Sequence, residues 1–266
     1  VNRSTYYKHF SSSPAPRTTQ NEQIKANILH IYADYQKRLG AYKIRYILKR
    51  DYGIEISIGR VYRLMKSINL PKMSTVKPFL HSHHDENGDC INHLRQEFSQ
   101  KSPNLVWVSD ITYIKAGGSW CYLCVVIDLF SRKVISWHLS KKPDADLVMV
   151  TFRKAYDHRG SPFGLMFHSD RGSQYTAFAF RQLLDSLSVV QSFSKKGYPF
   201  DNAVCESFFK YLKKEETNRR TYNTIEQLRL SLFEYIEGFY NLKRPHSSLG
   251  YLTPYEFENS YWEAQT

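Results

Sequence analysis

The sequence predicts an α/β protein, a mixed five-stranded sheet with helices on both faces, preceded by a small all-α domain. Three observations predict it. Between residues 103 and 140, three apolar runs are separated by short turns, as hairpin-linked strands require. From 145 to 193, helical periodicity alternates with two short apolar runs. Ahead of these, residues 21–70 carry their apolar side chains at helical spacing. Hairpin strands followed by alternating helices and strands build a mixed sheet covered on both sides.

Residues 1–20 are polar, with Pro14 and Pro16 beside a serine run, and read as a lead-in. Residues 21–72 form the all-α domain. Ile24, Ile28 and Ile31 mark a first helix, and Leu39-Gly40 breaks it. Ile44, Ile47 and Leu48 mark a second helix. Ser57 is placed to cap a third helix carrying Val61, Leu64 and Ile68, which Pro71 closes. Arg45, Lys49, Arg60, Arg63 and Lys66 lie off the apolar stripes. Three short helices with basic outer faces fit a DNA-binding helix-turn-helix better than the alternative, a generic three-helix bundle with a solvated charged surface.

Residues 73–100 read as a linker. Its His81, His83, His84, Asp85, Cys90 and His93 lack the paired ligands at each end that a structural zinc site shows. The larger domain spans 101–262, closing in a helical tail. Strands are expected at 105–115, 120–129 and 133–140, the first two joined by Gly117-Gly118. A helix from Ala145 to His158, a strand at 164–168, a helix at 177–187 and a strand at 189–193 follow. Further helices begin near Asn202, capped by Asp201 or Asn202, and cover 224–241. Cys121 and Cys124 stand three apart on a strand, hence on opposite faces, and read as core residues.

The chain has 266 residues, 42% of them hydrophobic, and a formal net charge of +12. Such a positive field favours a polyanion, with DNA or RNA foremost. No apolar run approaches the roughly 20 residues that span a bilayer, so no membrane partner is expected. The N-terminus lacks an apolar secretory segment. Four cysteines without a disulfide framework point to a reducing cytoplasm.

Three acids carry the chemistry. Asp110 sits in Val106-Trp107-Val108-Ser109-Asp110-Ile111-Thr112-Tyr113, where a carboxylate is costly unless paired or metal-bound. Asp170 lies where the fourth strand ends, the usual place for a site in an open sheet. Glu206 lies on a helix whose apolar side carries Val204, Phe208, Tyr211 and Leu212. Lys210 and Lys213 follow Glu206 at i+4 and i+7; Glu206 and Lys210 also suit a plain surface ion pair. Two divalent cations about 3.5–4 Å apart, held by such acids, would serve phosphodiester chemistry. Mg²⁺ fits, with water and DNA phosphate completing its shell. Asp128 reads as the structural partner of Arg132. His168, two residues before Asp170, reads as a core histidine with a possible supporting role.

With these pieces in place, the chain resembles the DDE transposases of bacterial insertion sequences. It is most similar to the second-reading-frame product of the two-frame, frameshifting group, whose core is related to retroviral integrases. The motifs are Trp107 through Tyr113, His168-Ser169-Asp170-Arg171-Gly172-Ser173-Gln174-Tyr175, and Asp201-Asn202-Ala203-Val204-Cys205-Glu206-Ser207-Phe208. Thirty-five residues separate Asp170 from Glu206, and Lys213 supplies the basic residue seven beyond it. Asn241, Arg244-Pro245-His246-Ser247-Ser248-Leu249 and Thr253-Pro254 match the closing signature. Leu39-Gly40-Ala41-Tyr42-Lys43-Ile44 departs from the family's pattern in the helix-turn-helix.

The resemblance implies a ribonuclease H-like core with Asp110, Asp170 and Glu206 as catalytic metal ligands. It implies Mg²⁺, with Mn²⁺ able to substitute, and two ions. It implies 3′-end cleavage by water and strand transfer, without a covalent enzyme–DNA intermediate. DNA contacts are expected from Lys210, Lys213, Arg171, Arg60, Arg63 and Lys66, and support from His168, Asn202, Arg244 and His246. A homo-multimer is implied, as is an upstream-frame product acting by fusion or as partner. The start at Val1 agrees with such a fusion. The expected location is the bacterial cytoplasm, on the nucleoid when DNA is bound. The rivals are a hydrolysis-only nuclease of the same core and a non-catalytic helix-turn-helix regulator.

Overall fold

A computed structural model describes residues 16–71, 90–195 and 198–265. His81, His83, His84 and Asp85 lie outside the described residues. The chain divides into two compact units, Val1–Pro78 and Phe79–Thr266.

The first unit holds α1 (Pro16–Asp34), α2 (Ala41–Tyr52) and α3 (Ile58–Ser67). Ile24, Ile28 and Ile31 of α1 are buried, as are Ile44, Ile47 and Leu48 of α2 and Val61 and Leu64 of α3. Leu39, at the break, is fully enclosed. Gly53 ends α2 in the left-handed region, its N–H donating to the Leu48 carbonyl. The Ser57 hydroxyl accepts from the Arg60 N–H at 3.2 Å, the expected cap of α3. Ile68 is the C-cap and only partly buried; Met65 fills the core position instead.

The second unit is built on a five-stranded sheet, ordered β3-β2-β1-β4-β5. The strands are β1 (Val106–Ala116), β2 (Ser119–Asp128), β3 (Val134–Ser140), β4 (Met166–Ser169) and β5 (Val190–Phe193). β1, β2 and β3 pair antiparallel, while β4 pairs parallel to both β1 and β5. Gly117 and Gly118 have φ of 57° and 76°, the primed two-residue turn that matches strand twist. The helices are α4 (Ala145–His158), the single turn α5 (Ser173–Thr176), α6 (Phe178–Ser186), α7 (Ala203–Glu215), α8 (Ile225–Phe233) and α9 (Pro254–Glu263).

On one face of the sheet Trp107, Cys124 and Val126 pack with Leu147, Val148 and Phe152 of α4 and Phe180 and Leu184 of α6. Phe152 meets Phe167 and Phe180 edge-on at 5.3 and 6.0 Å. Each such ring contributes about 1.5–3 kcal/mol on burial, so this cluster anchors the strands that hold Asp110 and Asp170. α7 packs against β1. Its buried side chains are Cys205, Phe208, Phe209 and Leu212, and Glu215. Val204 and Tyr211, expected on that stripe, are only half-buried.

The helix expected over 224–241 changes winding midway. After α8 the chain forms a π-helix over Glu234–Asn241. Asn241 then reaches β3, accepting from the Val134 N–H at 3.0 Å and donating to its carbonyl at 2.9 Å. Arg244 is buried and donates to both carboxylate oxygens of Glu215, at 2.8 and 2.9 Å. Its guanidinium also stacks 4.1 Å from the Tyr211 ring centre. This pair ties the closing segment to α7. Thr253 and Glu256 form a capping box, with Pro254 opening α9.

Candidate active site

Strand register runs toward the two aspartates. Val106, Trp107 and Val108 of β1 pair with Met166, Phe167 and His168 of β4, a constant offset of sixty. The pairing ends there; continued two residues further, the same offset would lead to Asp110 and Asp170, and the Asp170 charge acts on the Asp110 carboxyl. Neighbouring strands lie about 4.8 Å apart. Asp170 is the first residue beyond β4, at its carboxyl end, where Arg171-Gly172 turns the chain into α5.

Asp110 is half-buried, and its Oδ1 accepts from the Ile111 N–H at 2.7 Å. The Asp170 Oδ1 accepts from the Gly172 N–H at 3.0 Å. A methyl at residue 172 would stand 3.0 Å from that oxygen and 2.8 Å from Gln174 Oε1. Glycine therefore gives the carboxylate room to reach the backbone.

Glu206 is brought in by Asn202. Asn202 is the N-cap residue of α7, as expected of Asp201 or Asn202, but its side chain makes no capping hydrogen bond. Asn202 instead donates from Nδ2 to the Ser109 carbonyl at 3.0 Å, pinning the start of α7 to the residue before Asp110. Glu206 stands one helical turn along, so it shares the side of α7 that Asn202 presents to β1. The Asp201 carboxylate accepts from the Lys195 N–H at 2.9 Å, Asn92 Nδ2 at 2.9 Å and Gln96 Nε2 at 2.7 Å. It locks the preceding loop.

The charges crowd one another. Burial pushes the Asp110 carboxyl up to about 7; the Asp170 charge adds to this and the Glu206 charge adds less, against the Ile111 N–H. Surrounding protein also raises Asp170, opposed by the Gly172 N–H, and raises Glu206. Solvent reaches these last two, so the push at Asp110 carries the most weight. Burial lowers Lys213, while the Asp110 charge resists that.

Among the described residues no lysine or arginine forms a salt bridge with Asp110, Asp170 or Glu206. Among them, too, no three His, Cys, Asp or Glu side chains, Asp110, Asp170 and Glu206 included, lie close enough together to hold a metal ion. Carboxylates that repel one another are nonetheless the ligand type that hard divalent cations take, alongside water and phosphate oxygens.

Several expected site residues have other work. His168 is fully buried between Ser192 and Ser194, at 2.8 Å from Nδ1 and 3.0 Å from Nε2. Ser192 Oγ already accepts from the His93 and Leu94 N–H groups, so its proton goes to Nδ1 and the ring is neutral. Burial lowers its pKa to about 4. It is a core histidine that braces β4 against β5. The Arg171 guanidinium is turned inward, donating to the Ser194 and Cys90 carbonyls at 3.0 and 3.1 Å. Asp128 is not held by the Arg132 guanidinium, which donates to the Phe98 carbonyl at 2.8 Å. The N–H groups of Asn104 and Phe130 hold that carboxylate, each at a distance near hydrogen-bond optimum. His246 bonds to Ser248 at 3.0 Å and meets the Tyr240 ring edge-on, ordering the closing loop.

Lys210 is exposed, four residues past Glu206 on α7, and among the described residues forms no ion pair with it. In the helical unit Arg63 and Lys66 are exposed, while Arg60 is spent on Gln20 and Asn21 of α1, at 2.8 and 2.9 Å. One contact is new. Tyr175, buried, is hydrogen-bonded to Ser109 Oγ at 2.8 Å, bracing β1 from the other face.

The chain is matched by known proteins. Residues 100–199 and 187–254 match two models of the integrase core domain, and 19–76 match an HTH-like domain. The transposase for insertion sequence element IS904 of Lactococcus lactis is 35% identical over 249 residues, covering 92% of this chain and 97% of that one. The transposase InsF for IS3A of Escherichia coli is 40% identical over 168 residues, 63% of this chain and 58% of that one. The catalytic core domain of BIV integrase superposes with a TM-score of 0.45 at 20% identity, covering 61% of this chain and 98% of that one. The chain is thus an enzyme of the integrase-core class. It belongs to the transposases of insertion sequences.

Proposed function

We propose that Asp110, Asp170 and Glu206 are the catalytic carboxylates and that they hold two Mg²⁺ ions, for which Mn²⁺ can substitute. The observation that supports this is the parallel β1–β4 register, which runs toward Asp110 on one strand and Asp170 on the other, with Asn202 fastening the Glu206 helix to β1. When bound, the ions supply Lewis-acid activation of the attacking oxygen and of the leaving one.

The chain's own residues do the rest. The Ile111 and Gly172 N–H groups fix one oxygen of each aspartate. Asn202 sets the height of Glu206 against the strand. Lys210 and Lys213, on the Glu206 helix, meet the phosphate backbone. The reaction runs in two displacements. Water attacks a phosphodiester, the P–O3′ bond breaks, and a 3′-OH is freed. That hydroxyl attacks a second phosphodiester, forming one P–O bond as another breaks. The helical unit adds duplex contacts through Arg63 and Lys66. Paired ends call for a homo-multimer, with an upstream-frame product as fusion or partner, in the bacterial cytoplasm.

The test is a purified chain with labelled duplexes carrying the element's ends. Joined products longer than the substrate support strand transfer; cut ends alone support the nuclease. Asp170→Asn is expected to abolish Mg²⁺-dependent cleavage while DNA affinity stays within about threefold. Cleavage at the wild-type rate in that variant removes Asp170 from the mechanism.

A further inference from the structure

Past Asp110 the β1–β2 hairpin carries a second feature that the carboxylates do not use. A cavity of about 690 Å³ opens at its tip, lined by Tyr113, Lys115, Trp120, Lys213 and Arg220 and by the 217–223 segment. That is the size range of small-ligand sites. We propose that this cavity stacks an unpaired DNA nucleotide beside the active site. The inference rests on the DNA-processing function above.

Two aromatic rings stand half in water there: Tyr113 is 58% exposed and Trp120 is 52% exposed. They meet edge-on at 5.0 Å. Lys115 pairs across the hairpin with Trp120, and Tyr113 lies two residues back on the same face. The Lys213 ammonium lies 5.0 Å from the Tyr113 ring centre. Three cations and no acid line the cavity among the described residues. Arg220 is partly neutralised by Glu216 at 3.1 Å, so Lys115 and Lys213 carry most of the positive field.

The cavity is built rather than incidental. The Gly117 N–H donates to the Tyr222 carbonyl at 3.0 Å, and a methyl at Gly117 would stand 3.1 Å from the Asn223 carbonyl oxygen. The hairpin tip is therefore seated against the far wall. Exposed rings interleaved with lysines are the chemistry that binds single strands, because every base offers a π face and every nucleotide a phosphate. A paired base has its faces covered by its neighbours in the stack.

Position ties the cavity to the reaction. Tyr113 lies three residues past Asp110, roughly 10 Å along the strand and on its opposite face. Lys213 lies seven past Glu206, roughly 10 Å along the helix. Both elements that carry the acids thus lead into the cavity.

The test uses the full chain in EDTA, with (dT)10 and a blunt duplex as probes and tryptophan fluorescence and anisotropy as readouts. Wild type is expected to show saturable quenching by (dT)10. Trp120→Ala and Tyr113→Ala are expected to weaken (dT)10 roughly 5- to 100-fold, the range base stacking supports, with duplex affinity unchanged. Trp120→Phe is expected to keep affinity within about threefold while losing the quenching. The proposal is overturned if wild type does not bind (dT)10, if Trp120→Ala binds it as wild type does, or if both probes weaken together. Strand transfer by a wild-type chain whose Trp120→Ala variant keeps (dT)10 affinity rejects the cavity alone. Absence of both cleavage and joining rejects the function.

Discussion

Replacing Asp110 by asparagine should make the metal-free protein more stable at alkaline pH. Asp110 is half-buried, close to Asp170 and Glu206, and its carboxyl is pushed from 3.8 to about 7. In the unfolded chain it loses its proton near its ordinary value, while in the folded chain it keeps it to about 7. Between those values the folded state binds more protons, so stability falls as pH rises. Below about 4 both states are protonated and the penalty vanishes. Three pKa units correspond to about 4 kcal/mol. Partial solvent access screens this, so we expect about 2 kcal/mol at pH 8. In a unit of this size that is a rise in Tm of about 4–8 °C. Thermal denaturation of both proteins in EDTA at pH 4.5 and pH 8 measures it. The gain at pH 8 should be about fourfold larger than at pH 4.5, which lies just above the ordinary carboxyl value of 3.8. Added Mg²⁺ should then raise the wild-type Tm and leave the variant's unchanged. A variant less stable than wild type at pH 8, or equal Mg²⁺ responses, would refute the reasoning.

Three further perturbations follow from the same structure. Gly172→Ala should displace the Asp170 carboxylate and lower the cleavage rate about 10- to 100-fold, with Tm within about 2 °C; an unchanged rate would show that the Gly172 N–H does not set that oxygen. Arg244→Ala leaves Glu215 buried and unpaired and should cost about 3–5 kcal/mol, read as a lower denaturation midpoint; a loss under about 1 kcal/mol contradicts the pairing. Arg63→Ala with Lys66→Ala should reduce the slope of log affinity against log salt by about 2 without changing the helical content, and an unchanged slope places DNA elsewhere.

The strands and the three acids were legible because each broke a pattern. Asp110 interrupts an apolar strand, and Asp170 follows a short apolar run at a glycine turn. Their proximity needed the parallel pairing of β4 with β1, which sequence periodicity does not specify. Asn202 looked like a cap because asparagine after a turn usually is one. Its real partner, the Ser109 carbonyl, lies ninety-three residues away and leaves no local trace. Glu215 and Arg244 carry charges that ordinarily face solvent, so their burial was invisible, although Glu215 continues the Phe208–Leu212 stripe. Arg171 was expected on DNA because it adjoins Asp170; only the fold shows its guanidinium closing the loop from within. The π-helix keeps an apolar spacing close enough to an α-helix that the change of winding is silent in sequence.

Anomalous diffraction from the DNA-bound protein with Mn²⁺ tests the shared-ion claim most directly. We expect two peaks about 3.5–4 Å apart, each within bonding distance of carboxylate oxygens from Asp110, Asp170 or Glu206. Density for Mn²⁺ elsewhere, with these three carboxylates bare, would contradict it.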